Sequence, residues 1–224
     1  MKLTTEQIAT IEETLVLNGV VYDDIKLELL DHIATEIESE CSIEDKAFEV
    51  ILKEVFEKWK QQLRPASHNL WLGSGLSAPR IIVDKLANEK KRELFIGGII
   101  VSLITVVILA VDNKFQDSSI LYNIVFFLKT LSLMGALLMI SGKLYFFKCK
   151  IQTTYLFRFN KSFYVILLWS VFIGIGLFPI LPFNKNIEIK ATALIITLAY
   201  LFLIYGNLKL FYKHFQFENR MKVI

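Results

Sequence analysis

The feature that most constrains the fold is a set of four long apolar runs that begins near residue 94. The runs are Leu94–Val111, Ile120–Ile140, Phe163–Leu181 and Ala191–Phe211. Each has about the 20 residues that an α-helix needs to cross roughly 30 Å of hydrocarbon. Because lipid offers the backbone no hydrogen-bonding partner, such runs span a membrane as helices. The sequence therefore predicts a four-span transmembrane bundle over residues 94–212, followed by a basic tail at 213–224.

The placement of Lys and Arg predicts the orientation of these helices. Positive residues precede the first run and follow the fourth, and no Asp or Glu interrupts the basic segment between the second and third runs. That segment, residues 143–161, is predicted to form one basic cytoplasmic loop, which contains Lys143, Lys148, Lys150, Arg158 and Lys161. Because basic residues near membrane spans are retained on the cytoplasmic side, we expect a multi-pass protein of the inner membrane with both termini in the cytoplasm.

The N-terminal part of the chain is opposite in charge to the rest. Residues 1–64 carry 7 Lys and Arg against 15 Asp and Glu, a net charge of −8, whereas residues 65–224 carry a net charge of +11. A strongly acidic surface repels phosphates, so nucleic acid is not an expected partner. Cys41 and Cys149 both fall on the predicted reducing side of the membrane, where no structural disulfide is expected.

Apolar residues recur at helical spacing within residues 1–64 and predict three amphipathic helices. Thr4 and Gln7 have the spacing of a capping box at the start of the first helix. The third helix is expected to end at Arg64, because proline disfavours helical backbone in the residue before it. The apolar stripe of the second helix consists of Ile25, Leu29, Ile33 and Ile37. The predicted fold class is therefore all-α, with a small cytoplasmic three-helix domain followed by a four-helix transmembrane bundle.

Residues 65–93 connect the two parts and are predicted to form a linker and then a basic amphipathic helix. Pro79 suits the first turn of a helix. Basic residues are mixed with apolar ones from Arg80 to Arg92, a pattern typical of helices that lie on an anionic leaflet. We expect this connector helix to run directly into the first span, with Gly97 and Gly98 as a soft point.

The N-terminal domain resembles a known helical domain. The residues that carry the resemblance are Tyr22-Asp23-Asp24-Ile25-Lys26-Leu27-Glu28-Leu29-Leu30-Asp31-His32-Ile33, Glu36-Ile37-Glu38, Ala47-Phe48 and Trp59. They resemble the HAAS-type domain, which is similar to the helical prefix found ahead of some bacterial permeases. Proteins with such a domain combine a short acidic helical module with several membrane spans and are regarded as signalling or regulatory components. The resemblance covers about residues 1–64 and supplies no catalytic residue.

Four polar residues on the second helix form a candidate interaction face. Glu28, His32 and Glu36 lie at helical i, i+4 and i+8 positions, and Asp31 lies beside them. This spacing would suit a divalent metal, but a solvated helix face with i,i+4 pairs explains the same residues. The remaining histidines, His68 and His214, are distant in sequence, so we predict neither a metal site nor a cofactor.

Lys129 is the one charged residue well inside a predicted span. Ionisable residues at membrane depth often mark a transport pathway or a ligand site. The alternative is that Lys129 extends its ammonium group towards the outer surface, or that the second span begins later. Small residues in the spans, such as Gly97, Gly135 and Gly174, are expected to let helices approach closely within the chain or between copies.

The sequence contains no phosphate-binding loop, no nucleophile–base set and no zinc-ligand spacing, so we predict no catalytic residues and no enzyme. The leading hypothesis is an integral membrane regulatory or adaptor protein of the signalling type. Its acidic domain would bind a protein partner or the chain's own basic 143–161 segment. The alternative hypothesis is a membrane component of a transporter or permease that uses the bundle interior around Lys129. The lipid bilayer is an expected partner in both cases, and a homo-oligomer is compatible with both.

Overall fold

The structure, a computed structural model, describes residues 2–43, 46–68, 72, 78–115, 118–178 and 191–222. The elements in these ranges are α1 (Thr5–Leu17), α2 (Asp23–Ile43), α3 (Phe48–Leu63), β1 (Pro65–Ala66), β2 (Ala78–Pro79), α4 (Arg80–Phe115), α5 (Ser118–Phe146), α6 (Thr154–Gly174) and α7 (Ala191–Met221). Of the residues in these ranges, 85% are helical, which confirms the predicted all-α class. Helices α4 to α7 are long and apolar enough to cross a membrane, so the chain is a membrane protein.

The contacts within the chain define two compact units. The N-terminal unit consists of Met1–Glu93 together with Ile151–Thr154, and the membrane unit consists of Leu94–Lys150 and Tyr155–Ile224. The sequence places a separate connector at 65–93, whereas the contacts join this stretch to the N-terminal unit. The short segment Ile151–Thr154, between α5 and α6, also belongs to the N-terminal unit, although it is far from that unit in sequence.

The core of α1–α3 follows the predicted helical periodicity. The capping box at α1 is confirmed, because the backbone N–H of Gln7 donates to Thr4 Oγ1 at 3.3 Å and that of Thr4 donates to Gln7 Oε1 at 2.9 Å. The predicted stripe of α2 is buried along its whole length, and residues of α1 and α3 join it in the core. The fully buried members are Ile11, Leu15, Ile33, Ile37, Ile51 and Val55.

The start of α4 differs from the expected membrane-surface helix. Ile82 and Val83 are 0% exposed and Leu86 is 3% exposed, so this apolar face is covered by protein and is not available to a lipid surface. Strands β1 and β2 pair antiparallel just before this helix, with Ala66 opposite Ala78. Helix α4 then continues without a break from Arg80 to Phe115, which confirms that the connector helix runs into the first span.

The helix that contains most of the third predicted span begins and ends earlier in the chain than that span. The sequence predicts Phe163–Leu181, whereas α6 extends from Thr154 to Gly174. Phe159, in the second turn of this helix, is fully buried in spite of the polar residues around it. The end of α6 coincides with Gly176, which has a φ of +83° and donates its N–H to the carbonyl of Ile173 at 3.1 Å, as in a glycine-ended helix. Leu181 lies outside the described residues.

Close helix packing in the membrane unit depends on glycines, as predicted for contacts within the chain. A Cβ on Gly97 would overlap the ring of Phe202, and one on Gly135 would lie 2.7 Å from Ile204 Cγ2. Both partners belong to α7, so α7 approaches α4 and α5 at positions where no side chain intervenes. The buried hydroxyl of Ser132 on α5 donates to the carbonyl of Ser170 on α6 at 2.9 Å and adds a polar contact between these spans.

The two adjacent glycines of α4 provide a matched test of this packing. At an interior helix position, alanine is more favourable than glycine by about 1 kcal/mol. A Cβ on Gly98 would meet nothing within 4 Å. Gly98→Ala should therefore leave the thermal unfolding temperature in detergent unchanged or raise it. Gly97→Ala should lower it, because displacing Phe202 costs roughly 1–3 kcal/mol. Equal unfolding temperatures for the two variants would contradict the close α4–α7 contact.

Candidate functional site

The acidic start of α2 binds the segment Ile151–Thr154 within the N-terminal unit. The N–H of Asp23 donates to the carbonyl of Gln152 at 2.8 Å, and the N–H of Gln152 donates back to Asp23 Oδ2 at 3.0 Å. Asp24 Oδ1 accepts from the N–H of Thr154 at 2.9 Å, and its other oxygen accepts from the Thr154 hydroxyl. Two consecutive aspartates thus hold this segment with four hydrogen bonds, three accepted by their carboxylates and one donated by the backbone N–H of Asp23.

The contact with Thr154 is a helix cap supplied by a distant residue. Thr154 is the first residue of α6, and the first N–H groups of a helix have no partner within the helix. Thr153 and Thr154 are each only 1% exposed, so water does not replace such a partner here. The carboxylate of Asp24 provides it, and a negative charge at a helix N-terminus is further stabilised by the helix dipole.

The carboxylate of Asp24 accepts hydrogen bonds from uncharged groups, and its pKa is raised. Burial raises the pKa of Asp24 above the ordinary value for aspartate, while the hydrogen bonds from the hydroxyl and the N–H of Thr154 lower it in part. The acidic unit therefore binds this part of the chain through hydrogen bonds to uncharged groups. The sequence hypothesis of docking on the basic 143–161 segment invokes its Lys and Arg side chains instead.

Lys26 links the other aspartate, Asp23, to helix α1. Lys26 Nζ lies 2.8 Å from Glu12 Oε1 on α1 and 3.3 Å from Asp23 Oδ1. The hydrogen bond to Glu12, the larger effect, and the one to Asp23 raise the pKa of Lys26. The start of α2 is thereby held against α1 on one side and against Ile151–Thr154 on the other.

The predicted interaction face on α2 separates into two pairs of residues. Lys85 Nζ lies 2.7 Å from Glu28 Oε1, and the indole N–H of Trp59 donates to Glu36 Oε2 at 2.9 Å, so these two carboxylates have partners inside the N-terminal unit. Asp31 and His32 are exposed on the same helix. Asp31 and His32 are thus the part of the predicted face whose side chains do not take part in these two contacts.

The five basic residues of the 143–161 segment do not share one loop. Lys143 lies in α5 and donates to Asn160 Oδ1 at 2.5 Å, with its ammonium 5.6 Å from the centre of the Phe163 ring. Helix α6 includes Arg158 and Lys161, and Lys161 Nζ lies 5.6 Å from the centre of the Phe157 ring. Only two of the five lie in the connection between α5 and α6. These are the exposed residues Lys148 and Lys150.

Lys129 lies beside the end of α6. Its Nζ is 3.0 Å from the position that a Cβ on Gly176 would occupy, just beyond the last residue of that helix. A helix C-terminus carries partial negative charge, so an ammonium at this position is stabilised electrostatically. A cavity of about 650 Å³ elsewhere in the membrane unit is lined by apolar residues of α4, α5 and α7 and by Asn123. Leu128 and Leu131, close to Lys129 in α5, line this cavity, whereas Lys129 is not among the lining residues.

Comparison with protein-family models, with curated proteins and with solved structures gives no match to this chain. The HAAS-type resemblance therefore stays a prediction from the residues quoted above.

The contact between α2 and Ile151–Thr154 is a feature of the candidate site that the sequence does not predict. Two acids at a helix start are common because they complement the helix dipole, so Asp23 and Asp24 have an ordinary local explanation. Their partners are about 130 residues away in sequence. The available sequence signal is indirect: Thr154 is a residue type that favours helix starts, and it follows a short stretch between two apolar runs.

Two substitutions of Asp24 should distinguish the contribution of its hydrogen bonds to Thr154 from the contribution of its negative charge. Asp24→Ala leaves the buried N–H and hydroxyl of Thr154 without acceptors, and an unsatisfied buried polar group costs about 1–3 kcal/mol. Asp24→Asn retains one oxygen acceptor in the same shape and should lose less stability. Thermal unfolding in detergent measures both variants against the wild type. A loss as large for the asparagine variant as for the alanine variant would contradict the capping role.

The raised pKa of Asp24 also predicts a pH dependence. Between the ordinary aspartate value of about 3.9 and the raised value of the folded protein, the folded state binds more protons than the unfolded state, so stability falls as pH rises through this window. The unfolding temperature of the wild type relative to Asp24→Asn should therefore increase as pH is lowered from neutrality through the folded pKa. A pH-independent difference between the two would show that burial does not control this carboxyl.

Proposed function

We propose that this protein is a non-enzymatic regulatory or adaptor protein of the inner membrane, with both termini in the cytoplasm. Its acidic N-terminal unit binds a cytoplasmic protein, and the bound state of that unit is transmitted to the membrane helices. The observation that carries this proposal is that one compact unit includes both the beginning of α4 and the segment immediately before α6. A partner that alters the N-terminal unit therefore acts on two membrane helices through their own polypeptide.

The partner-binding surface is centred on the exposed residues Asp31 and His32 of α2. The net charge of −8 over residues 1–64 favours a partner with a basic surface. Because such complementarity steers association and is screened by salt, binding should weaken as ionic strength rises. The HAAS-type resemblance of the same helix supports a signalling role, since proteins with that domain are regarded as regulatory components.

A transport function is the alternative proposal. Its support is the apolar cavity of about 650 Å³ in the membrane unit and the charge of Lys129. A pathway through the bundle would need Lys129 for more than its electrostatic contact at the end of α6. Lys129→Leu would then abolish transport, whereas an adaptor would keep its partner after this substitution.

The adaptor proposal is tested by purifying the full chain from native membranes in mild detergent. We expect a protein partner in near-stoichiometric amount. Asp31→Lys should reduce its recovery at least tenfold, because the substitution reverses a charge in the proposed binding surface. Glu49→Lys is the matched control, since Glu49 is an exposed acid on α3 and this variant has the same net charge. It should retain the partner.

Two outcomes would contradict the proposal. Recovery of the chain alone, or only with copies of itself, would show that the N-terminal unit holds no partner, and the transport assay with Lys129→Leu would then be decisive. Equal loss of partner from the Asp31 and Glu49 variants would show that binding follows net charge and not the α2 surface.

A further inference from the structure

Three residues with metal-binding side chains converge within the membrane unit. Cys149 follows the end of α5, and His214 and Glu218 are one turn apart on α7. The Cys149 sulfur, one imidazole nitrogen of His214 and one carboxylate oxygen of Glu218 all lie within 4.8 Å of one another. The sulfur is already 3.4 Å from Glu218 Oε2. Among the described residues, this is the one such group of three.

We propose that Cys149, His214 and Glu218 form a binding site for a divalent transition metal of the zinc class. A mixed set of sulfur, nitrogen and oxygen ligands suits zinc, whereas magnesium and calcium prefer oxygen alone. Bond lengths of about 2.0–2.3 Å to these atoms place the ligands of a tetrahedral ion roughly 3.3–3.7 Å apart. The sulfur–carboxylate distance of 3.4 Å already matches this spacing, and the imidazole nitrogen lies within 4.8 Å of both atoms.

The charges of the three ligands also suit a dication in this environment. Thiolate and carboxylate together contribute −2, and neutral histidine contributes nothing, so zinc and its three ligands together are neutral, and the ammonium of Lys222 beside Glu218 is exposed to solvent. That balance matters because His214 is 0% exposed and an uncompensated charge near it would be costly. Binding releases the Cys149 thiol proton to the solvent as the metal–sulfur bond forms, and the ion gives up hydration water in exchange for the protein ligands.

Neighbouring side chains hold the ligands in place. The hydroxyl of Tyr145 donates to Glu218 Oε2 at 2.6 Å, and Lys222 Nζ lies 2.7 Å from Oε1. The Phe146 ring meets the His214 ring edge-on, with centres 4.8 Å apart. Partners of this kind orient metal ligands and tune their affinity. With three protein ligands, a fourth position remains for water or for another small ligand, as in zinc sites that are not purely structural.

The competing interpretation is that Tyr145 and Cys149 simply donate hydrogen bonds to Glu218 and that the cluster binds no metal. The two interpretations differ in measurable metal affinity. The metal site does not rest on the proposed adaptor function, because it involves neither Asp31 nor the α2 surface.

The full chain, purified in detergent and treated with EDTA, is titrated with cobalt(II) as a spectroscopic substitute for zinc. We expect one cobalt per chain, a thiolate-to-cobalt charge-transfer band in the near ultraviolet and visible bands of four-coordinate cobalt, all displaced by zinc. Cys149→Ser should abolish the charge-transfer band and weaken binding at least tenfold, and His214→Gln and Glu218→Gln should each weaken binding at least tenfold. Cys41→Ser is the matched control and should retain the full spectrum.

A second measurement keeps the inference testable if a ligand variant does not fold. In the Cys41→Ser protein, zinc should slow alkylation of Cys149 at least tenfold, and EDTA should restore the original rate. The metal site is wrong if cobalt gives no charge-transfer band, if the band persists in Cys149→Ser, or if zinc leaves the alkylation rate of Cys149 unchanged.

Discussion

The N-terminal unit depends on one requirement: the polar backbone groups at the start of α6 are buried, so protein must supply their hydrogen bonds. Asp24 supplies the acceptors for Thr154, and Asp23 exchanges two further bonds with Gln152. The cost of burying a carboxylate, evident in the raised pKa of Asp24, is offset because both of its oxygens are used. This arrangement explains why four residues from the middle of the chain belong to a unit built otherwise from its first 93 residues.

Charged side chains of the N-terminal unit form ion pairs with one another. The ion pairs of Lys26 with Glu12 and of Lys85 with Glu28 join helices within the unit, and Lys58 on α3 pairs with Glu40 on α2. These pairs neutralise some of the acidic side chains, whereas Asp31 and His32 on α2 are exposed. In the membrane unit, by contrast, close contact relies on glycines opposite Phe202 and Ile204 of α7. Helices are therefore joined by ion pairs in the N-terminal unit and by close packing at glycines in the membrane unit. Small residues at helix contacts are typical of membrane proteins.

Local patterns predicted those features that depend on nearby residues. The capping box of Thr4 and Gln7, the buried stripe of α2 and the existence of four apolar helices all follow from spacing and hydropathy. The start of α6 was missed because Arg158, Asn160 and Lys161 lower the hydropathy of its first turns, although Phe159 among them is fully buried. The apolar face at Ile82 and Val83 was assigned to lipid because periodicity shows that a face is apolar but not what covers it. The Asp24–Thr154 contact and the convergence of Cys149 with His214 join residues far apart in sequence, and a single sequence contains no direct signal that either pair meets.

The discontinuity of the N-terminal unit bears on the order in which the protein is made. Domains of a nascent chain generally fold as their residues emerge, beginning at the N-terminus, but this unit receives its last four residues only after α4 and α5 have been synthesised. Until then Asp23 and Asp24 lack the partners that they hold in the finished structure. If the first two spans failed to form a hairpin with both ends on one side, Ile151–Thr154 would be on the wrong side of the membrane and would not reach α2. Closure of the N-terminal unit therefore depends on correct insertion of the first two spans, and an incorrectly inserted chain leaves the acidic unit incomplete.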